Sequence, residues 1–453
     1  MTRHLALLLS LGLLGCSPQP QPADNASWQE DYPVQYDSWL TTEETTRQAD
    51  ELERRPAMVV LWAGSGFAKD YNTPRGHRFS IADVTHTLRT GVPAKGPDEK
   101  GYSASCWTCK SPDVPRVMAE MGEENFAATD FTDQGLQMAN SIGCADCHES
   151  GSDALHLPRP HAKNAMEKVN LAFEKQSPAM QGAQTCGQCH VTYYFQPEAH
   201  NKVNIPWIFG STADEIERYY DTRRFYEWLH PISRTPMLKA RHPEFETWSR
   251  SAHAEAGATC IDCHMPKRTN EDGRHYSDHN VGHALENFDL ACAGCHESKG
   301  ALSAALAKNK ADIDAARTEV EDLLVKAHYE AKAAWDAGAE WAMMDSPILD
   351  IRHAQWRWDF AVASHGIHAH NPDEALALLA VARRQVNMAR AKLELVHEQL
   401  NVTEVVYPDL SSKAAAQAAV NMDMATFNAE KDAFIEQVVA PNWPAAAMRG
   451  APH

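Results

Sequence analysis

A mainly α-helical chain is the predicted fold class, and its most legible part is a pair of long C-terminal helices. Two observations predict them. Residues 301–453 contain only three glycines, Gly338, Gly366 and Gly450, so few residues there disfavour a helix interior. Apolar residues also recur at helical spacing: Ile313, Ala316, Val320, Leu323, Ala327 and Ala331 step by three or four. A second helix start is written at Asn371-Pro372-Asp373-Glu374, with an Asn cap, Pro in the first turn and acids facing the positive end of the dipole. Leu379, Val386, Leu393, Val396 and Leu400 follow as its stripe. The two helices are expected to form an antiparallel hairpin. One face would pack on the rest of the chain, and leftover apolar surface would meet a second copy, giving a homodimer.

The 453 residues are 43% hydrophobic and 23% charged, a globular rather than disordered composition. Asp and Glu number 61 against 42 Lys and Arg, a net charge of −19. Such an acidic chain is a poor nucleic-acid binder. Residues 1–16 read as a signal peptide: Arg3 is followed by an apolar run, Leu5 to Gly15, too short to span a bilayer. The run ends Leu13-Leu14-Gly15-Cys16, which resembles a bacterial lipobox. Lipidation of Cys16, contact with a membrane and a periplasmic location are therefore expected. Residues 17–30 form a polar, Pro-rich tether. Residues 31–300 then form one region and 301–453 the long-helix region.

The remaining ten cysteines stand in five C-x-x-C pairs: Cys106/Cys109, Cys144/Cys147, Cys186/Cys189, Cys260/Cys263 and Cys292/Cys295. Four pairs are followed directly by a histidine, His148, His190, His264 and His296. C-x-x-C-H is the attachment signature of c-type haem: the thiols add to the vinyl groups and the histidine ligates the iron. Zinc sites would leave the histidines surplus, and a disulfide framework suits much smaller secreted chains. The first cysteines are spaced by 38, 42, 74 and 32 residues, so there is no tandem repeat. The interval of 74 has room for something besides a haem.

The first pair ends differently, Cys106-Trp107-Thr108-Cys109-Lys110. A lysine amine bound to iron must be deprotonated, and coordination to a cation favours this. A six-coordinate haem passes electrons but leaves substrate no position. The haem at Lys110 is the natural candidate to stay open. The 23 histidines are too many for their number to choose the distal ligands.

Five such motifs, the first ending in lysine, resemble the ammonia-forming cytochrome c nitrite reductases, a periplasmic pentahaem family. The likeness extends to His77-Arg78, Thr87-Leu88-Arg89-Thr90-Gly91, Tyr193-Tyr194, Thr235-Pro236-Met237-Leu238-Lys239 with His242-Pro243, and Arg352-His353-Ala354-Gln355-Trp356-Arg357-Trp358-Asp359. The resemblance implies a mainly helical multihaem cytochrome c with closely packed haems. Long C-terminal helices would build its dimer interface. It implies five covalently bound haem c groups, Lys110 as proximal ligand of the active one, and Arg89, Tyr193 and His242 around nitrite. The same resemblance makes His77 the distal ligand of the third haem, His279 of the second, His370 of the fourth and His253 of the fifth. The implied reaction takes nitrite to ammonium with six electrons and eight protons. The electron donor would be a membrane quinol-oxidising multihaem cytochrome or a soluble one. The alternative is a multihaem electron carrier without turnover.

Two positions depart from the commoner pattern. Where many members hold calcium with a glutamate and a glutamine, this chain has Thr192 and Arg241. Calcium wants oxygen ligands, usually with carboxylate among them. Arg241 is expected to take the place of the cation, and calcium to be absent.

Overall fold

The computed structural model describes residues 23–44, 49–92 and 101–443. The expected signal peptide over residues 1–16, with Cys16, and residues 17–22 of the expected tether lie outside the described residues. Helices dominate. Among the described residues β structure is confined to three small antiparallel pairs: β1–β2 (Tyr194–Gln196 with Lys202–Asn204), β3–β4 (Trp228–Leu229 with Pro236–Met237) and β5–β6 (Lys267–Thr269 with His275–Ser277).

Up to residue 298 the helices are short. Those that matter for the site are α1 (Ser80–His86), α2 (Pro178–Gly187), α3 (Ala213–Thr222) and α4 (Glu244–Trp248). The carboxyl-terminal part is built from long ones, α5 (Lys299–Asp336), α6 (Trp341–Ala363) and α7 (Pro372–Leu400). At 1.5 Å per residue, α5 runs for about 57 Å. Asn371 caps α7 as its sequence predicts, its side chain accepting from the Glu374 N–H at 3.2 Å. Leu379, Val386, Leu393 and Val396 are buried.

The expected antiparallel hairpin of the two striped helices does not form. α6 lies between α5 and α7 in the chain and runs antiparallel to both. Gln355 meets His328 and Trp358 meets Glu321 on α5, while Asp350 meets Lys392 and Arg357 meets Gln385 on α7. α5 and α7 therefore run parallel, tied by Arg383–Glu319 and Arg390–Glu330. The cause is the third long helix, since successive helices joined by short connections alternate in direction. α6 is buried along most of its length, from Ile351 and Arg352 through Ala354–Ala361, so it carries no polar stripe to reveal it.

The apolar core falls into three clusters. The largest packs the three long helices on Met58–Ala63. The second gathers Tyr194, Trp207 and Tyr220 with Trp356 and Phe360 of α6. The third joins Trp107 of the first motif to Phe126 and Phe131 and to the chain's end. There α8 (Met424–Phe434) continues into a π-helical turn, Ile435–Val439, and Phe434, Val439 and Trp443 close over that motif. Gly91 sits at φ 92°, and a Cβ there would lie 2.5 Å from the Phe434 ring, so only glycine admits this approach. No helix among the described residues is long and apolar enough to cross a membrane.

Candidate functional site

Each C-x-x-C-H segment folds as one helical turn. His148 N–H donates to Cys144 C=O at 2.9 Å, His190 to Cys186 at 3.0 Å and His296 to Cys292 at 2.9 Å. This i→i−4 bond brings two thiols and the following side chain onto one side of the turn. Two of the turns are closed by their own third residue. Asp146 accepts from the Gly143 N–H and Asp262 from the Thr259 N–H, each at 2.8 Å. None of the ten motif cysteines is in a disulfide; nine are half-buried and Cys295 is exposed.

Every motif histidine has a second histidine ring opposite it. His77 faces His190 at 6.3 Å between ring centroids, His279 faces His148 at 6.2 Å, His370 faces His264 at 6.3 Å and His253 faces His296 at 6.2 Å. Two metal–imidazole bonds of about 2.0–2.1 Å set the bonded nitrogens about 4 Å apart, and the ring radii then bring the centroids to about 6 Å. The other ring nitrogen is anchored in several cases. His148 Nδ1 bonds the Asp153 carbonyl at 2.9 Å, His264 Nδ1 that of Gly282 at 2.9 Å, and His279 Nδ1 that of Ser277 at 2.8 Å. Such bonds to Nδ1 fix the tautomer and aim Nε2 at a metal. Residues that fit haem are thus present at these four sites: paired thiols, an oriented imidazole and a second imidazole at ligand spacing. The motif cysteines do not instead close zinc sites. Among the described residues the one cluster at metal-ligand separation is Glu217, Asp221 and His353, which contains none of them.

The first motif is held by packing rather than by a histidine. Trp107 stacks on Phe131 at 4.2 Å and donates to its carbonyl at 2.9 Å. Ser80 of α1 donates to the Lys110 carbonyl at 2.8 Å. Beyond α1, Asp70 accepts from Thr87 Oγ1 and the Leu88 N–H, and lies 3.5 Å from Arg89 Nε. Arg89 is thereby pinned over Phe67, its guanidinium 4.5 Å from the ring centroid.

His242 sits at φ 50°, a left-handed conformation uncommon for a non-glycine residue. Its neighbours hold it there. Lys239 donates to Asp359 of α6 at 2.6 Å, and the Ala240 N–H bonds the other oxygen of the same carboxylate at 2.8 Å. Arg352, also of α6, bonds the carbonyls of Pro236 and Phe225. The buried helix α6 therefore sets the path of the segment that ends in His242. Burial holds the His242 pKa well below its usual value. Burial pushes the Tyr193 phenol up.

Arg241 points inward. It makes a two-pronged pair with Glu227 and donates to the carbonyls of Tyr193 at 3.2 Å and Lys239 at 3.4 Å. Its own N–H donates to Thr192 Oγ1 at 3.2 Å. The Glu227 carboxylate raises the pKa of the arginine further. Sequence reasoning did not single out Glu227, Asp359 or Asp70. Glu227 is one of several glutamates in the long interval between the third and fourth motifs, with no pattern to mark it. Asp359 lies inside the quoted Arg352–Asp359 segment, whose likeness was its only signal.

Short single-turn motifs, facing histidines and a mainly helical frame define a multihaem cytochrome of the c type. The chain belongs to the cytochrome c552 family, whose model matches residues 24–450. Its fold is also that of a solved structure, the catalytic subunit of cytochrome c nitrite reductase from Desulfovibrio desulfuricans ATCC 27774, a protein with two calcium sites. The two share 24% identity at a TM-score of 0.77, over 90% of each chain.

Proposed function

We propose that this chain reduces nitrite to ammonium at a haem attached to Cys106 and Cys109 with Lys110 as proximal ligand. Four bis-histidine haems, at His148/His279, His190/His77, His264/His370 and His296/His253, relay electrons to it. When bound, these groups supply the electrons and an iron position for nitrite. The reading is carried by one contrast. Four motifs end in a histidine with another ring 6.2–6.3 Å away, while the remaining one ends in Lys110. The thiols of Cys109 and Cys189 lie side by side, as do those of Cys186 and Cys260. The first, third and fourth attachment sites are therefore neighbours.

The protein groups perform the remaining tasks. Arg89 offers a permanent positive charge and several donors to the nitrite oxygens, which gain negative charge as the N–O bonds break. Its bonds to Thr87 and the Asp70 carboxylate keep it from swinging away. His242 is neutral at rest, so it can accept a proton and hand it to a departing oxygen. Tyr193 donates a hydrogen bond and, with its pKa raised, keeps its own proton. Arg89, Lys239 and Arg241 gather around the Phe67 ring, each balanced by its own carboxylate, Asp70, Asp359 and Glu227.

Arg241 stands for calcium in this proposal: its guanidinium meets the Tyr193 and Lys239 carbonyls and the Glu227 carboxylate, groups of the kind a calcium ion would gather. The proposal includes export to the periplasm with lipid on Cys16, since haem c is attached after translocation. A homodimer is supported by Trp341, Leu349, Met388 and Leu395, which are large, apolar and exposed on the long helices. A quinol-oxidising or soluble multihaem cytochrome is the proposed donor. The deciding experiment is the ammonium yield from nitrite with purified holoprotein and a reduced viologen. One ammonium per nitrite is expected. A preparation holding five haems that makes no ammonium is an electron carrier instead.

A further inference from the structure

The proposed reaction consumes eight protons, and the pocket residues named so far include few that can deliver them. Arg89 keeps its proton at any working pH. Burial makes Tyr193 a reluctant donor. That leaves His242, and a second histidine faces it. The rings of His242 and His365 lie 6.3 Å apart between centroids, inclined by 34°. Neither belongs to a C-x-x-C-H motif, so no covalently attached macrocycle belongs between them.

His365 follows the end of α6 and is held on two sides. Its ring stacks on Tyr71 at 6.0 Å, and the Tyr71 hydroxyl reaches Nε2 at 3.2 Å. Its backbone N–H donates to Glu244 Oε1 at 3.1 Å, while Glu244 Oε2 is buried without a partner. Tyr71 in turn lies under Arg89, whose guanidinium is 5.8 Å from the ring centroid. Tyr71 and His365 thus form a polar strip from Arg89 to His242. His365 is exposed as a residue while its ring lies deep among neighbouring atoms, and its Nδ1 is bonded by no group among the described residues.

We propose that His365 is a relay residue that supplies protons to His242 across this gap, with Tyr71 orienting its ring and Glu244 fixing its backbone. The identity of the proton consumer rests on the nitrite reading; the relay itself does not. In each transfer a His365 N–H bond breaks and a His242 N–H bond forms through one bridging water, which takes the proton from His365 as it gives one to His242. His365 regains a proton from solvent, and nothing is oxidised or reduced. The groups facing His365 are Tyr71, His242, Lys239, Glu244 of α4 and Arg317 of α5. Burial, then Lys239 and Arg317, bring its pKa down to about 4. Both histidines are therefore neutral before an anion arrives, and an anion beside them raises both and draws in protons.

The test uses oxidised holoprotein with nitrite as probe, and the variants His365→Asn and Tyr71→Phe. Proton uptake on nitrite binding is measured by calorimetry in two buffers of different ionisation enthalpy. Turnover is measured separately, with kcat and KM resolved. His365→Asn is expected to keep five haems and a near-normal KM, to lose about half of the proton uptake, and to lose kcat by about 100-fold, the lower range for an acid–base group. Tyr71→Phe should shift both readings the same way by less. Wild-type proton uptake in His365→Asn overturns the proposal, whatever its kcat. If that variant fails to load five haems, Tyr71→Phe decides, and unchanged uptake there overturns it equally. Wild-type protein that binds nitrite but makes no ammonium defeats the nitrite reading alone, because the proton count still judges His365.

Discussion

Arg241→Gln tests whether a guanidinium does the structural work of a metal ion. The side chains of Arg241 and Glu227 are 8% and 15% exposed. The substitution strands the Glu227 carboxylate and removes the donors to the Tyr193 and Lys239 carbonyls. Breaking a buried pair by deleting one partner costs about 3–5 kcal/mol. The residual exposure of Glu227 and its second donor, the Lys239 N–H at 3.1 Å, point to the lower end, about 3 kcal/mol. For a chain of 453 residues that is a fall of about 3 °C in the unfolding midpoint. Scanning calorimetry of the holoprotein at one fixed scan rate reads it. Millimolar calcium should then recover part of the loss, because glutamine, a carboxylate and two carbonyls can all turn oxygens to a hard cation. Wild-type protein should not respond. A midpoint unchanged in the variant, or a calcium-dependent rise in the wild type, would refute the reasoning.

Three further outcomes are expected. Exhaustive chelation leaves nitrite turnover intact, and elemental analysis of active protein finds no stoichiometric calcium. Arg89→Gln loses most nitrite turnover while a haemochrome assay still counts five haems; near-normal turnover would remove Arg89 from the pocket. Lys431 is buried and donates to the carbonyls of Thr85 and Thr90 at 2.7 Å each, bracing the loop that carries Arg89. Burial lowers its pKa from 10.5 to about 7. Between those values the unfolded chain binds more protons than the folded one, so this lysine's contribution to stability rises with pH, by up to roughly 1.4 kcal/mol per unit. Stability curves of wild type and Lys431→Met should therefore diverge from pH 7 towards pH 10, the wild type gaining, and parallel curves would count against the lowered pKa of Lys431.

Local chemistry was the legible part of this chain. A C-x-x-C-H turn is complete within five residues, closed by one i→i−4 bond and, in two cases, by its own aspartate. The cap of α7 lies within four residues, and its stripe needs only the period of a helix. The direction of the long helices was not legible, because α6 is buried on most sides and shows no amphipathic period. Two striped helices were visible, and the unseen third between them makes them parallel.

The candidate site divides along the same line. Lys110 was marked by its own motif, while Arg89, Tyr193, His242 and the histidines facing the motifs were named through resemblance, since 23 histidines offered no choice by spacing. Glu227, Asp359 and His365 had no local signal at all. Their roles arise from contacts across 14, 120 and 123 residues, to Arg241, Lys239 and His242. The sequence by itself determined how many C-x-x-C motifs exist and which one differs, because each motif is specified by neighbours in the chain. Only the tertiary structure decided which imidazoles face each other, which carboxylate answers Arg241 and what stands behind His242. Those pairings are set by how buried helices cross, and a periodic pattern along one chain does not encode the partner on another.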